Sequence, residues 1–485
     1  MEEKDPGRFA RRVVDLCADC EVCRDMLEDS PCLFFPKLYR LYDRERAGRG
    51  AITSVELKRL VDFCNLCGIC SCHDVRVNIM NAKGAFIARD GVPPAIRLLE
   101  DVERIGKLGG AHPRLAKLFF SSAAGRLTKR LVGIHPDRAV PDFAAESLAA
   151  WVRQRGLDQK REGTGRKVAY FAGCTARYLF PQVAKATIEI LEHNGVTVFF
   201  PEQKCCGMPS LLEGDRPFTL ELVGFNLKQL GAAVDEGYDI VCSCPSCGYL
   251  LKQVLCEGAF FSQAFIAAYG RMMREPRTDP EEARVRLLLD CAGRDSKATA
   301  PSPRCNPPNG IGHFLRMSAD AEAAFAAQGR RGFFNELDAQ KRIAVASHTY
   351  DLGEYLRDLD HAGAFDRTLG PVRDRMAYYP PCHLKEQRIG EPWFELLGMI
   401  PGIAMERVGG PFDCCGMSGI MGFKREFHKV SLAMGARLAQ KIREKDPQKL
   451  ICDCLSCRIQ FNQMLPIEVR HPAETLKEAY ANAAR

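Results

Sequence analysis

The sequence lacks long apolar runs, and no long low-complexity tract interrupts it. Its longest apolar stretch, near residues 258–268, is broken by Ser262 and Gln263 and is too short to cross a bilayer. The opening segment MEEKDPGRFARRVVDLC has no apolar core of the kind that a secretory signal carries. We therefore expect a cytoplasmic chain, and peripheral contact with the inner face of the membrane is the alternative.

Several motifs of catalysis and nucleotide binding are also missing. No GxGxxG follows a strand pattern, and the sequence has no Walker loop and no Ser/His/Asp arrangement. The chain therefore has no evident flavin or nucleotide domain, and we assign no catalytic residue. Its formal net charge of +7 gives no reason to expect a nucleic-acid partner.

Cysteine, in contrast, is abundant, with 23 among 485 residues. Hydrophobic residues make up 46% and charged residues 27%, which is typical of a globular chain, and this length suggests two or three domains. Disulfides are rare in a reducing compartment. So many cysteines in a cytoplasmic chain therefore indicate metal binding or redox chemistry.

Two CxxCxxC triplets lie near the start, and each is followed by a fourth cysteine. The first set is Cys17, Cys20, Cys23 and Cys32, and the second is Cys64, Cys67, Cys70 and Cys72. This is the form of a bacterial ferredoxin with two 4Fe-4S clusters, in which each fourth cysteine serves the other cluster. Because the spacing of the fourth cysteines departs from that pattern, their assignment stays open, and a pair of zinc sites is the alternative. Apolar residues at helical spacing in FPKLYRLYDRE and SVELKRLVDF predict helices beside the triplets.

A second pattern is an internal repeat that relates residues 168–252 to residues 376–462. Five cysteines recur in register in the two copies. They are Cys174, Cys205, Cys206, Cys244 and Cys247 in the first copy, and Cys382, Cys414, Cys415, Cys454 and Cys457 in the second. A glycine follows each adjacent pair, and we expect it to let the backbone pass close to inorganic sulfide.

Strand patterns precede the cysteines of each repeat. VAYFA, VTVFF and YDIVC in the first copy, and RMAYY and KLICD in the second, read as short buried strands. Amphipathic helices follow, so each repeat predicts an open α/β sheet whose strands end at the cysteines, where ligands of such sheets collect. Adjacent cysteines suit a multinuclear cluster better than one tetrahedral ion, because neighbouring side chains point apart.

With these motifs the sequence resembles the CCG-domain family of iron–sulfur proteins. The family includes the B subunit of heterodisulfide reductase, the C subunit of anaerobic glycerol-3-phosphate dehydrogenase, and iron–sulfur subunits of glycolate- and lactate-oxidising complexes. The order of motifs here looks most like the glycerol-3-phosphate dehydrogenase type. The resemblance implies one noncubane 4Fe-4S cluster on each set of five repeat cysteines, beside two cubane clusters in the ferredoxin part.

The fold class we expect is α/β, with two homologous open α/β CCG repeats preceded by a mainly α-helical ferredoxin-like domain. The segments are a ferredoxin-like domain over residues 1–95, a helical linker over 96–165, a first CCG domain over 166–295, an insertion over 296–340 and a second CCG domain over 341–485.

Other residues have two interpretations each. Cys242 and Cys452 are either further ligands or cysteines buried at strand ends, and we favour burial. His383 either donates protons near a cluster or is a solvated or hydrogen-bonded side chain, and we favour the latter. Residues 112–134 combine leucines with arginines and lysines. This segment either lies on an anionic membrane or packs on a protein surface, and we favour packing on its own domain or on a partner.

We expect an iron–sulfur electron-transfer subunit that passes single electrons between a partner and an acceptor such as a quinone. The partner we expect is a flavoprotein dehydrogenase or reductase. The alternative is an enzyme resembling heterodisulfide reductase that cleaves a disulfide at paired noncubane clusters. A structural scaffold that binds zinc is a third possibility, and metal analysis separates it from the others.

Overall fold

The fold is taken from a computed structural model that describes residues 5–27, 30–68, 70, 72–121, 125–144, 146–161, 165–259, 262 and 332–484. The insertion predicted over 296–340 therefore lies outside the described residues except for its last nine positions. No helix in the described ranges is long and apolar enough to cross a membrane.

The described part of the N-terminal segment consists of helices and the loops that join them. Its helices are α1 (Gly7–Cys17), α2 (Glu21–Leu27), α3 (Phe34–Arg46), α4 (Ser54–Asp62) and α5 (His73–Asp90). The helices predicted beside the triplets are thus present as α3 and α4. Thr53 begins α4 with a capping box, because its side chain accepts from the Glu56 amide while the Glu56 carboxylate accepts from the Thr53 amide.

Five short helices connect this bundle to the sheets: α6 (Pro94–Glu100), α7 (Val102–Ala111), α8 (Pro113–Ser121), α9 (Gly125–Leu131) and α10 (Leu148–Gln154). The segment is more than a linker, because it packs on both repeats. Glu103 of α7 pairs with Arg177 of the first repeat at 2.7 Å. Ile134 forms a β-bridge with Lys424 of the second repeat.

The first repeat forms a parallel sheet of four strands in the order β2-β1-β3-β4. The strands are β1 (Lys167–Phe171), β2 (Thr197–Phe199), β3 (Asp239–Cys242) and β4 (Thr349–Asp351). The helices are α11 (Gly173–Tyr178), α12 (Pro181–His193), α13 (Met208–Glu213), α14 (Arg216–Asp235), α15 (Pro245–Lys252), α16 (Ala339–Ser347) and α17 (Leu352–His361).

The second repeat builds the same sheet, in the order β6-β5-β7-β8, and again all strands are parallel. Its strands are β5 (Arg375–Tyr378), β6 (Ala404–Arg407), β7 (Lys449–Ile451) and β8 (Glu468–Arg470). Its helices are α18 (Cys382–Glu386), α19 (Pro392–Gly398), α20 (His428–Glu444), α21 (Leu455–Met464) and α22 (Pro472–Ala483). One buried apolar cluster spans parts of both sheets, so the repeats share a core.

The boundary predicted at residue 341 does not coincide with the sheets. Strand β4 pairs with β3 of the first sheet, although residues 341–485 were expected to form the second domain. The recognisable repeat ends near residue 252, and about ninety residues separate its CxxC motif, which ends at Cys247, from α16. The fourth strand of the first sheet could therefore not be placed from the motif spacing.

Candidate metal centres

The five cysteines of the first repeat meet at the carboxyl ends of its strands. Cys174 follows β1, Cys205 and Cys206 lie in the loop after β2, and Cys244 and Cys247 begin α15. All five are buried. The Sγ atoms of Cys174 and Cys205 lie 3.5 Å apart. The thiols of Cys205 and Cys206, of Cys206 and Cys247, and of Cys247 and Cys244 interact as well.

Two buried amide side chains fix the loops of this site. Gln203 Oε1 accepts from the backbone amides of Ala172 and Gly173, at 2.9 and 3.2 Å. Asn226 Nδ2 donates to the carbonyl of Cys205 at 2.9 Å. Sequence reasoning missed both residues, because nothing in the local pattern marks a polar side chain whose partners are distant backbone groups.

The glycines that follow the adjacent pairs lie against a helix of their own repeat. Gly207 and Gly416 have φ values of 94° and 85°. A Cβ on Gly416 would lie 2.1 Å from the carbonyl oxygen of Ser431, and one on Gly207 would lie 3.2 Å from Val223, so both face a helix rather than a thiol. The glycine that makes room at the thiols is Gly173, where a Cβ would lie 2.8 Å from the Sγ of Cys247.

The second repeat assembles its cysteines in the same places. The thiols of Cys414 and Cys415, of Cys415 and Cys457, and of Cys457 and Cys454 interact. The amide of Gly416 donates to the Sγ of Cys414 at 3.3 Å, as backbone groups commonly do to cluster-binding sulfurs. Cys382 makes no such thiol contact in the described structure, but its charge interacts with that of Cys415.

The two sites meet. The thiol of Cys244 in the first repeat interacts with that of Cys454 in the second, and this interaction raises the pKa of Cys454. Nine repeat cysteines therefore form one unbroken series of neighbouring sulfurs. The series runs through Cys174, Cys205, Cys206, Cys247, Cys244, Cys454, Cys457, Cys415 and Cys414.

The thiols differ widely in acidity. Burial raises the pKa of Cys382 to about 12, whereas hydrogen bonds from Cys205 and Cys247 lower the pKa of Cys206 to about 6. A thiol with a raised pKa binds metal only with release of its proton. Nowhere in the described ranges do three or more His, Cys, Asp or Glu side chains gather closely enough for one metal ion. The donor set, an extended series of buried thiols, fits a multinuclear iron–sulfur cluster better than a single tetrahedral ion.

The N-terminal cysteines form two groups, and the fourth cysteines cross between them. The charge of Cys72 interacts with those of Cys17 and Cys23 in the first triplet. Cys32 interacts in the same way with Cys64 and with Cys70 of the second triplet. Cys20 is in hydrogen-bonding contact with Cys23. Each fourth cysteine thus interacts with the triplet that it does not follow, and Cys17 also interacts with Cys70 across the two groups.

Cys67 lies where the N-terminal helices meet the repeats. Its charge interacts with that of Cys414 and with Tyr249 of α15. The neighbouring carbonyl of Leu66 is 3.3 Å from Nε2 of His383. The second triplet is therefore next to the repeat sites.

His383 is a buried, hydrogen-bonded side chain. Its Nδ1 is 2.8 Å from the hydroxyl of Ser246, and its ring stacks on that of Tyr249 with centroids 4.9 Å apart. Burial lowers its pKa. It connects Cys382 of the second repeat to the CxxC loop of the first and to the second triplet, so it holds three loops together.

Cys242 and Cys452 are fully buried at the ends of their strands. Burial raises the pKa of both thiols. Cys452 also contacts the thiol of Cys457, while the charge of Cys242 interacts with those of Asp351 and Cys244. Their position at strand ends is thus observed, and the interpretation that they are packed cysteines rather than ligands stays a prediction.

The model of the cysteine-rich CCG domain matches residues 168–252 and 376–462, the two spans of the internal repeat. The chain therefore contains two cysteine-rich CCG domains.

Among curated proteins, the chain is similar to the C subunit of anaerobic glycerol-3-phosphate dehydrogenase from Escherichia coli K12, with 22% identity over 71% of this chain and 66% of that protein. It is also similar to the B subunit of fumarate reductase (CoM/CoB) from Methanothermobacter marburgensis, with 22% identity over 67% of this chain and 49% of that protein. Lactate utilization protein A of Bacillus pumilus is 25% identical over 64% of this chain and 98% of its own length. The chain thus spans about two thirds and about half of the first two relatives. Both are named as subunits of larger redox enzymes.

Proposed function

We propose that this chain is an iron–sulfur subunit that passes single electrons between a partner dehydrogenase or reductase and a separate acceptor. The observation that carries the proposal is the unbroken series of sulfurs that joins the two CCG sites through Cys244 and Cys454. Closely spaced centres in a buried environment favour electron transfer, and similarity to named subunits of a dehydrogenase and a reductase supports it.

The proposed ligands are the cysteines of the two triplets, the two cysteines that follow them, and the five cysteines of each repeat. Each CCG domain would hold a noncubane 4Fe-4S cluster on its five repeat cysteines. In the N-terminal segment, Cys17, Cys20, Cys23 and Cys72 would hold one cubane cluster, and Cys64, Cys67, Cys70 and Cys32 another; this crossed arrangement is the one known from two-cluster ferredoxins. When bound, such clusters accept and release one electron at a time.

The chain's own residues would keep the centres close and dry. Gln203 and Asn226 fix the first CCG loop, and His383 joins the second triplet to both repeats. Cys67 next to Cys414 would provide the passage between the N-terminal centres and the CCG centres. Substitution of these residues should therefore slow transfer between centres even when iron remains bound.

We propose a flavoprotein as the donor and a quinone as the acceptor. A flavoprotein that oxidises its substrate by two electrons would release them singly to this chain, and a quinone would take up two electrons and two protons. The chain has no nucleotide motif of its own, so a partner must carry out the hydride chemistry.

A surface suited to an anionic membrane lies on helices α7 to α9, and we call it the α7–α9 surface. Six large apolar side chains on this surface are each between 52% and 78% exposed to solvent. They are Leu108, Leu115, Leu118, Phe119, Leu127 and Leu131. Arg114, Lys117, Arg126 and Arg130 lie on the same helices, while Lys129 is buried and donates to backbone carbonyls. Among the described residues these side chains do not pack on their own domain, while packing on a partner, the other part of the interpretation favoured from the sequence, stays a prediction. We propose contact with the inner face of the membrane.

Disulfide cleavage remains the second candidate, because Cys244 and Cys454 bring the two CCG sites face to face. Both cysteines are buried, so a disulfide substrate would need an opening between the repeats. Electron relay requires no such opening and is the function we favour.

The test is anaerobic single turnover. Chemically reduced protein is mixed with a water-soluble quinone analogue or with candidate disulfides, and oxidation of the clusters is followed optically. Rapid oxidation by quinone with no thiol release supports the relay. Stoichiometric thiol release from a disulfide would instead establish the reductase.

A further inference from the structure

A fully buried guanidinium lies beside the second CCG loop. Arg138 comes from the segment between α9 and α10 and has no solvent exposure. Its Nη1 donates to Gln460 Oε1 at 2.5 Å, and its Nη2 lies 3.0 Å from the sulfur of Met417. Its central carbon lies 5.1 Å from the ring centroid of Phe423. The segment predicted as a linker thus places a cation against Met417, which lies two residues beyond the adjacent pair Cys414–Cys415.

No carboxylate pairs with this cation in the part of the chain that the structure describes. Its neighbours are a neutral amide, a thioether and an aromatic ring, and its Nε has no acceptor. Removal of an unpaired charge from water is costly unless an anion lies close by. Arg138 contacts Met417, which lies two residues beyond Cys415, and the charge that acts on the guanidinium is that of Cys415.

The first repeat has a different electrostatic environment. The charged side chain that acts on Cys174 is Glu103, and its carboxylate is already paired with Arg177 at 2.7 Å. Arg138 lies outside both repeats. The segment between α9 and α10 therefore gives the second domain a cation that the repeat itself does not contain.

We propose that Arg138 creates a redox asymmetry between the two CCG domains, by stabilising the reduced, more negative state of the centre bound at Cys415. The second CCG centre then has the higher reduction potential of the two, and electrons that reach the pair settle there. This inference rests on the proposed function, since it requires iron–sulfur centres at both sites. Arg138 acts on the centre through its positive charge and does not bind the metal.

The experiment is an anaerobic redox titration of the full chain, followed by electron paramagnetic resonance. Cys415→Ser and Cys206→Ser identify the signals of the two CCG centres. In Arg138→Gln we expect the ratio of reduced to oxidised second centre, at the wild-type midpoint, to fall at least about tenfold, which is 59 mV for a one-electron couple. The first centre should keep its midpoint, and Arg138→Lys should retain most of the wild-type value.

Two further variants keep the test decisive. Gln460→Glu places a carboxylate against the guanidinium without removing it, so it should lower the same midpoint even if Arg138→Gln folds poorly. Arg342→Gln is the matched control, because Arg342 is equally buried but donates to the backbone carbonyls of Leu255 and Glu257. Its midpoints should equal those of the wild type.

An unchanged second midpoint in both Arg138→Gln and Gln460→Glu, with wild-type iron content, overturns the inference and leaves the electron-transfer proposal intact. Equal shifts of both CCG centres also overturn it. Wild-type protein that contains no iron would overturn the proposed function together with this inference.

Discussion

Cys244 and Cys454, each from a different repeat, have interacting thiols and join two otherwise separate sets of cysteines. Each follows the third strand of its own sheet in chain order and precedes a helix. Because the two sheets share a core, the relationship is fixed by the fold rather than by a flexible loop.

A pair of variants two residues apart distinguishes ligand from buried cysteine. Cys244→Ala should reduce iron by about four atoms per chain, since the first CCG cluster would lose a thiolate. Cys242→Ala, equally buried, should keep the wild-type iron content. Iron and acid-labile sulfide analysis after anaerobic purification checks both. Loss of the same amount of iron from both variants would contradict the distinction.

The crossing of the fourth cysteines predicts which N-terminal centre each one serves. Cys72→Ser should alter the spectrum of the centre that Cys17→Ser also alters, and Cys32→Ser that of the centre altered by Cys64→Ser. Paramagnetic resonance of the reduced variants makes the comparison. Pairing of Cys72 with Cys64 in their spectral effects would contradict the crossed arrangement.

The buried amide of Gln203 should matter for stability. Gln203→Leu leaves the amides of Ala172 and Gly173 without their acceptor, and each unsatisfied group costs about 1–3 kcal/mol. Urea unfolding should therefore show a loss of that order or more, while Glu202→Leu at the exposed neighbour should have a small effect. Equal effects of the two substitutions would show that the hydrogen bonds of the Gln203 side chain do not stabilise the loop.

Glu100 gives the stability a pH dependence. It is fully buried beside Asp215, and burial raises its pKa to about 9 from an ordinary 4.5. Between these values the folded chain holds a proton that the unfolded chain has lost, so stability falls as the pH rises, by at most about 1.4 kcal/mol per unit. Glu100→Gln should remove this slope and stabilise the protein at pH 8, whereas Glu202→Gln is the surface control. Urea midpoints at pH 6, 7 and 8 measure it, and an unaltered slope in Glu100→Gln would refute the assignment.

The α7–α9 surface should bind anionic vesicles. Leu118→Glu together with Leu131→Glu removes two exposed apolar side chains and adds repulsive charge, so co-sedimentation with phosphatidylglycerol vesicles should fall several-fold. Val55→Glu is the control, since Val55 is 77% exposed in the N-terminal helices. Absence of vesicle binding by the wild type would remove the membrane proposal.

The strands and their cysteines could be predicted because each strand is short, apolar and directly followed by its motif. Five predicted strands correspond to β1, β2, β3, β5 and β7. The fourth strand of the first sheet could not be placed, because a long insertion separates β4 from its repeat.

The residues that support the sites were also beyond sequence reasoning. Gln203 and Asn226 bond to backbone groups, and Arg138 reaches Gln460 across 322 positions. Such contacts leave no periodic trace in the sequence. The contact between Cys244 and Cys454 was likewise invisible, since it depends on how two sheets pack.

The central claim is that these cysteines hold iron–sulfur clusters that transfer electrons. The measurement that tests it most directly is the iron, sulfide and zinc content of anaerobically purified protein, with paramagnetic resonance of its oxidised and reduced forms. Four clusters predict about sixteen irons per chain and signals from more than one type of centre. Stoichiometric zinc without iron would contradict the account.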